Sequence, residues 1–226
     1  MKEYVSSDAY LIDGVQPHFV DFGAGTGGSM RIGEQFARGP GIGIERDLAR
    51  VQAATSVGLA VVQADALEFQ VRGLAAAAIC FDMIPELAGR KQFEMTLINM
   101  LRTARDFAVI QHLCFDTSDT LIASGRISHA YFERNINIQP RLVDYLHFYH
   151  VYKEKLNLTG LSAYGVGHPK VDELPPAGAR GQFLDSLRSR ALYRSVRVIF
   201  GRRQIERFEG GLRRAGVGDM VLICDQ

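Results

Sequence analysis

Cysteine is scarce in this chain, with three in 226 residues. Cys80, Cys114 and Cys224 lie far apart, each inside an apolar run. That spacing gives neither the paired ligands of a metal site nor a disulfide framework. The three read as small core hydrophobes of a reducing compartment. Long hydrophobic runs are missing too. No run approaches the roughly 20 apolar residues that span a bilayer, and the first 20 positions carry acids and no apolar h-region. The expectation is a cytoplasmic protein without a membrane partner. Excess charge is also lacking: 26 Lys and Arg stand against 25 Asp and Glu, which removes any global attraction to a polyanion. No internal repeat or low-complexity tract interrupts the chain. Its length and 47% hydrophobic content suit one globular domain, or a domain with a small appendage.

What is present concentrates near the N-terminus. Phe19-Val20-Asp21-Phe22-Gly23-Ala24-Gly25-Thr26-Gly27-Gly28 is an apolar run that ends in an acid and a glycine cluster. A strand entering a glycine turn, with a helix beyond, points backbone N–H groups at a ligand and lets the backbone approach closely. Gly23, Gly25 and Gly28 also satisfy the dinucleotide pattern G-x-G-x-x-G. Asp21 decides between the two, since an anion there repels a pyrophosphate and attracts an ammonium group. Gly41-Ile42-Gly43-Ile44-Glu45 reads as a second strand ending in an acid, and a carboxylate at that tip can accept both ribose hydroxyls. Ala60 to Ala66 gives a third strand with Asp65 just beyond it, and Ala75 to Phe81 a fourth closed by Asp82. Each acid has a plainer reading. Glu45 and Asp65 can be helix caps, and Asp82 can simply begin a loop.

Taken in order, these segments resemble the class I (Rossmann-like) S-adenosylmethionine-dependent methyltransferases over roughly residues 18–113. Asp21 to Gly27 resembles the family's first motif and Gly43-Ile44-Glu45 its ribose-binding acid. Ala64-Asp65-Ala66 resembles the adenine-contacting segment, and Phe81-Asp82-Met83-Ile84-Pro85-Glu86-Leu87 lies where a fourth motif belongs. The resemblance implies S-adenosylmethionine as cofactor. Asp21, Gly23, Ala24, Gly25, Thr26 and Gly27 would hold its methionine end, Glu45 its ribose, and Asp65 with Ala66 its adenine. Arg46 and Phe81 complete the implied cofactor set. The implied fold is α/β, a doubly wound and mostly parallel sheet with an antiparallel strand near the C-terminus.

Periodicity agrees. Strands near 18–22, 41–45, 59–63, 75–81 and 107–113 alternate with helices near 28–38, 47–57 and 90–105. Short strand–helix–strand links imply parallel pairing through right-handed crossovers. Prolines and glycines from Val171 to Gly181 mark a long loop. Beyond it, Val196–Phe200 and Met220–Cys224 read as strands flanking a helix near 202–215, and one of them is expected to be the antiparallel strand. The whole is read as a single domain: a core over about 15–115, an inserted helical cap over about 116–170, and a strand–helix–strand end over about 190–226.

The inserted segment holds five of the eight tyrosines and four of the six histidines. Leu142, Tyr145, Leu146, Tyr149 and Lys153 follow helical spacing, with Val143, His147 and His150 on the adjacent stripe. One reading is a cap that closes over the active site, with Tyr149 and His150 in the substrate pocket. The other is an amphipathic helix with its tyrosines in the core and its histidines at the surface. His147-x-x-His150 could be half of a metal site, but no third ligand is paired with it, so no metal is expected. His112, at the end of the fifth strand, and Asp82 are the candidate general bases, followed by His129, His150 and Tyr149; the competing reading of His112 is a buried histidine satisfied by backbone.

The acceptor is less legible. The segment after the fourth strand lacks the Asn/Asp-Pro-Pro-aromatic pattern of family members acting on exocyclic base nitrogens, and no Pro-Cys nucleophile is present. Residues 178–226 hold ten arginines and five acids, a candidate anion-binding patch or a solvated face. Three readings follow. The leading one is methyl transfer to an O or N atom of a small molecule. The second is transfer to RNA or a protein lysine docked on the arginine-rich end. The third is a nucleotide-binding Rossmann protein without methyl transfer.

Overall fold

A computed structural model describes residues 7–113, 115–116, 136–166, 195–201 and 220–224. Five strands and three helices open the chain. They comprise β1 (Phe19–Phe22), α1 (Gly28–Ala37), β2 (Gly41–Glu45), α2 (Leu48–Ser56), β3 (Val61–Gln63), β4 (Ala75–Phe81), α3 (Arg90–Thr103) and β5 (Ala104–Leu113). Then come α4 (Leu142–Leu156), β6 (Gly160–Val166), β7 (Ser195–Gly201) and β8 (Met220–Cys224). The eight strands form one sheet in the order β3-β2-β1-β4-β5-β7-β6-β8. Strands β1 to β5 pair in parallel. β7 lies antiparallel between β5 and β6, and β8 runs antiparallel to β6 at the edge. Both C-terminal segments are thus antiparallel strands, and β7 is the one inserted beside the parallel core.

The apolar runs explain this order. β1 and β2 are buried along their whole length and β4 nearly so, as strands covered on both faces must be. Phe19, Met30, Val51, Ile79, Val109 and Ile199 form the core under α1 and α2. Phe22, Cys80, Leu97, Met100, Tyr145, Phe148, Tyr149 and Phe200 form the larger core under α3 and α4. The chain moves from β1 outward to β3, then returns to place β4 on the other side of β1. That reversal opens a crevice at the strands' carboxyl ends.

The described part of the expected cap is a layer of the fold. α4 packs on α3 and β6. Tyr145 meets Phe93 edge-on at 5.2 Å between ring centroids, and Phe148 meets Phe200 in the same way at 5.6 Å. The Tyr152 hydroxyl donates to Glu94 at 3.1 Å. Each aromatic side chain removed from water stabilises by roughly 1.5–3 kcal/mol, and the α4 stripe holds three fully buried ones. Residues 160–166, expected within the cap, are strand β6. Two glycines and a serine hide its apolar alternation, and pairing on both sides supplies what propensity does not. Residues 117–135, with His129, lie outside the described residues, as do the 171–181 loop and the 202–215 helix. No helix among the described residues is long and apolar enough to cross a membrane.

Candidate active site

The crevice at the β1/β4 reversal is a cleft of about 370 Å3. Its walls include Gly23 from the turn after β1, Glu45 and Arg46 from the tip of β2, and Asp65 and Ala66 after β3. Phe81, Asp82 and Met83 close it at the end of β4. Residues from four separate strand ends, expected as cofactor contacts, therefore meet in one cavity.

The glycine turn is held from behind. The N–H groups of Gly23 and Ala24 both donate to the Ile44 carbonyl at 3.0 Å, and Gly27 N–H donates to Ala24 O at 2.8 Å. Gly25 N–H donates to Glu45 Oε2 at 3.0 Å. These four amides, expected to point at a ligand, are instead committed to the protein itself. Gly23 adopts φ +76°, and a Cβ there would stand 2.7 Å from Met83 Sδ, so only glycine fits. At Gly27, φ is +95° and an added Cβ would strike the Leu59 side chain. Thr26 is exposed and Ala24 buried behind the turn.

Asp21 lies fully buried beneath this turn. Its Oδ2 accepts the Ser29 hydroxyl, while its Oδ1 has no hydrogen-bond partner among the described residues. Burial pushes its carboxyl up to about 7; the Ser29 bond opposes that and the charge of Glu45 adds to it. Glu45 is also buried. Its Oε1 accepts Asp47 N–H at 2.9 Å, so one carboxylate ties the tip of β2 both to the glycine turn and to the start of α2. The cap of α2 is Asp47, which accepts Ala49 N–H at 2.9 Å. Asp65 is exposed at the rim and caps its own turn, accepting Leu67 N–H at 2.8 Å. Asp82, exposed at the end of β4, takes the left-handed φ of +62°, and its N–H extends the β4–β5 pairing to Gln111 O at 2.8 Å.

His112 is not in the cleft. It sits in the core with no exposed surface, between Phe115 and Tyr145, on both of which it stacks. The Leu113 carbonyl can only accept, so Nδ1 carries the proton and donates to it at 2.6 Å. Nε2 then accepts the Tyr145 hydroxyl at 2.7 Å. Burial lowers the imidazole to about 4, which keeps it neutral. A base role for His112 is corrected on these grounds. Tyr149 is likewise core rather than pocket, with no exposed surface, and His150 faces outward from α4 with His147. Among the described residues, no group of three His, Cys, Asp or Glu could hold a metal ion.

Strand alternation was the signal for His112. It shares a face with Ala108 and Ile110, both core residues under α4, whereas Gln111 faces the other way and accepts Arg197 Nε at 2.8 Å. Met83, Glu86, Leu87, Gln92 and Asn137 also line the cleft. Of these, Gln92 and Asn137 carry no motif that the sequence makes visible.

No protein-family model matches the chain, and no curated protein matches it. Solved structures do. A SAM-dependent methyltransferase from Archaeoglobus fulgidus is similar with TM-score 0.62 at 12% identity, over 82% of this chain and 86% of that one. A SAM-dependent methyltransferase from Thermotoga maritima gives 0.53 at 13%, over 87% and 86%. The plantazolicin methyltransferase BpumL in complex with S-adenosylhomocysteine gives 0.56 at 12%, over 85% and 78%. Strand order, the antiparallel β7 and these likenesses together give the chain the Rossmann-like fold of the class I SAM-dependent methyltransferases.

Proposed function

We propose that this chain is an S-adenosylmethionine-dependent methyltransferase that acts on an O or N atom of a small-molecule acceptor. The observation that carries the cofactor reading is the bonding of the glycine turn. Four of its amides are donated to Ile44, Glu45 and Ala24, which leaves a pyrophosphate without those donors. In their place the site offers acids. Asp21 keeps an unpartnered Oδ1 behind the turn, and Glu45, Asp65 and Asp82 ring the cleft. A cationic ligand suits that set of acceptors and a dinucleotide's pyrophosphate does not.

In this reading Glu45 accepts the ribose hydroxyls through lone pairs its two backbone bonds leave over. Gly23 gives the methionine end close approach, Ala66 floors the base, and Phe81 supplies an apolar wall. When bound, S-adenosylmethionine supplies a methyl group already activated on a sulfonium. The protein's task is then alignment, which can be worth roughly 7–11 kcal/mol. Asp82, at the tip of β4, would orient the acceptor or take its proton. The small-molecule acceptor is supported by the near-neutral charge of the whole chain. The macromolecular alternative rests on the C-terminal arginines, of which Arg197 is spent inside the protein, bonded to Gln111 and stacked over Phe81 at 5.8 Å.

The test is a thermal shift of the full chain with S-adenosylmethionine, S-adenosylhomocysteine and NAD. Ligand at 100 times Kd should raise stability by about 2.7 kcal/mol. Stabilisation by NAD, with no response to the two sulfur nucleosides, overturns the reading.

A further inference from the structure

Two side-chain amides on the α3 side of the cleft are each half used. Gln92 Oε1 accepts Ala88 N–H at 2.8 Å. Asn137 Nδ2 donates to the Glu86 carbonyl at 2.7 Å. A backbone N–H can only donate and a carbonyl only accept, so both amide orientations are fixed by their partners. The two atoms left wholly unused are a donor, Gln92 Nε2, and an acceptor, Asn137 Oδ1, neither with a partner among the described residues. Both residues line the cleft, and their anchors lie two residues apart on one turn. The strap that brings Asn137 there is held independently, by Asn137 N–H and Ile138 N–H on Pro85 O at 2.8 and 3.1 Å.

The helix fixes which end of the cleft this pair serves. Gln92 and Asn99 are seven residues apart on α3, two turns and about 10 Å along the same face. Asn99 Nδ2 donates to the carbonyls of Ala66 and Leu67, both at 2.9 Å. The face that carries Gln92 therefore abuts the turn after β3, where Asp65 and Ala66 line the cleft. The carboxylate oxygens of Asp65 and Glu86 serve as acceptors, and Asp65 Oδ1 already serves Leu67. Neither can donate to a ring nitrogen.

We infer that Gln92 and Asn137 read the base of the bound nucleoside as a 6-aminopurine, Gln92 Nε2 donating to N1 and Asn137 Oδ1 accepting from the N6 amino group. This rests on the cofactor reading above and adds to it the residues that set base identity. Hypoxanthine reverses both polarities, with a carbonyl at C6 and a proton on N1, and so opposes both amides at once. A paired donor–acceptor reading discriminates by about 5- to 150-fold.

The experiment is calorimetric titration of the full chain with S-adenosylhomocysteine and with S-inosylhomocysteine, the same molecule with hypoxanthine as its base. The wild-type chain should prefer the adenine compound at least tenfold. Gln92→Glu keeps an acceptor for Ala88 and turns the donor into an acceptor. It should weaken the adenine compound and strengthen the inosine one, collapsing or inverting the preference. Asn137→Ala, with the strap still held by its two backbone bonds, should reduce the preference by weakening the adenine compound. A merely structural role would weaken both ligands alike and leave the ratio unchanged. An unchanged ratio in both variants, with Asp65→Asn abolishing it, overturns this inference and leaves the cofactor reading standing. Binding of neither nucleoside to the wild-type chain overturns both.

Discussion

Glu45 Oε2 accepts the Gly25 N–H at 3.0 Å, so the acid at the tip of β2 holds the turn that follows β1. The same carboxylate holds Asp47 N–H through its other oxygen. A strand-tip acid read from sequence alone should contribute little to folding; this one stabilises two backbone segments. Glu45→Gln retains an acceptor for one of those amides. It is expected to weaken S-adenosylmethionine binding by about 1.5–3 kcal/mol through loss of charge-assisted bonds. Glu45→Ala should show the same loss of affinity plus about 1 kcal/mol of stability, because two partly buried amides lose their partner. Titration calorimetry and urea unfolding on the two variants separate these effects. Equal stability of the two variants and the wild type would show that Glu45 does not anchor the turn.

Asp21 and His112 are expected to oppose each other as pH changes. Asp21 is raised from 3.8 to about 7, so the folded state binds its proton more tightly than the unfolded chain. Its contribution is complete below pH 3.8 and is lost as pH rises through 7. His112 is lowered from 6.5 to about 4, so its contribution is complete above 6.5 and is lost as pH falls through 4. At about 1.4 kcal/mol per unit, each is worth of order 3–4 kcal/mol across its window. The slopes cancel between roughly pH 4 and 6.5, and the wild-type profile there should be flat. Asp21→Asn should unmask a stability that rises with pH over that range, and His112→Phe one that falls. Urea midpoints from pH 4 to 8 measure both. Parallel profiles for all three proteins would show that neither group titrates differently on folding.

Much of the site was legible because its residues are local to strong patterns. Asp21 and Glu45 lie at the ends of apolar strands and Asp65 and Asp82 just beyond theirs, and these strand ends of a parallel sheet converge. The pattern could not show where a side chain turns once it arrives. The amides of the glycine turn look available in sequence, yet Ile44 O and Glu45 take them from the neighbouring strand. Gln92 and Asn137 are 45 positions apart and line one cleft because Pro85 O and Glu86 O hold the strap. β6 was hidden because glycine and serine make a poor strand until β7 and β8 flank it.

The tyrosines of α4 follow from the same reasoning. Helical spacing marked a stripe, and a stripe is core before it is a pocket. Tyr149 has no exposed surface and Lys153 Nζ lies 5.9 Å from its ring centroid. Tyr149→Ala should cost about 3–5 kcal/mol of stability, as truncation of a large buried aromatic does. Near the midpoint of unfolding it should alter ligand binding only through that loss. Thermal unfolding with and without S-adenosylhomocysteine tests this: a full-sized ligand shift on a lowered baseline is expected. A normal baseline with weakened ligand response would return Tyr149 to the site.

Asp82 holds a left-handed φ of +62° at the mouth of the cleft. Outside glycine, that conformation costs roughly 1–2 kcal/mol, and Asp and Asn tolerate it better than other residues. Asp82→Asn therefore removes the charge while keeping the backbone preference, and stability should move by less than about 0.5 kcal/mol. If the carboxylate faces the reacting end of the cofactor, it favours the sulfonium of S-adenosylmethionine over the neutral thioether of its product. Removing it should shift the ratio of the two dissociation constants against S-adenosylmethionine by about fivefold, near 1 kcal/mol. If Asp82 also takes the acceptor's proton, turnover should fall by about 10²–10⁴-fold. The two measurements distinguish the roles. A shifted ratio with intact turnover makes Asp82 a charge that holds the cofactor, and a lost turnover at an unchanged ratio makes it the base. If neither moves, Asp82 is there for the turn, since its backbone N–H continues the β4–β5 pairing whatever side chain it carries.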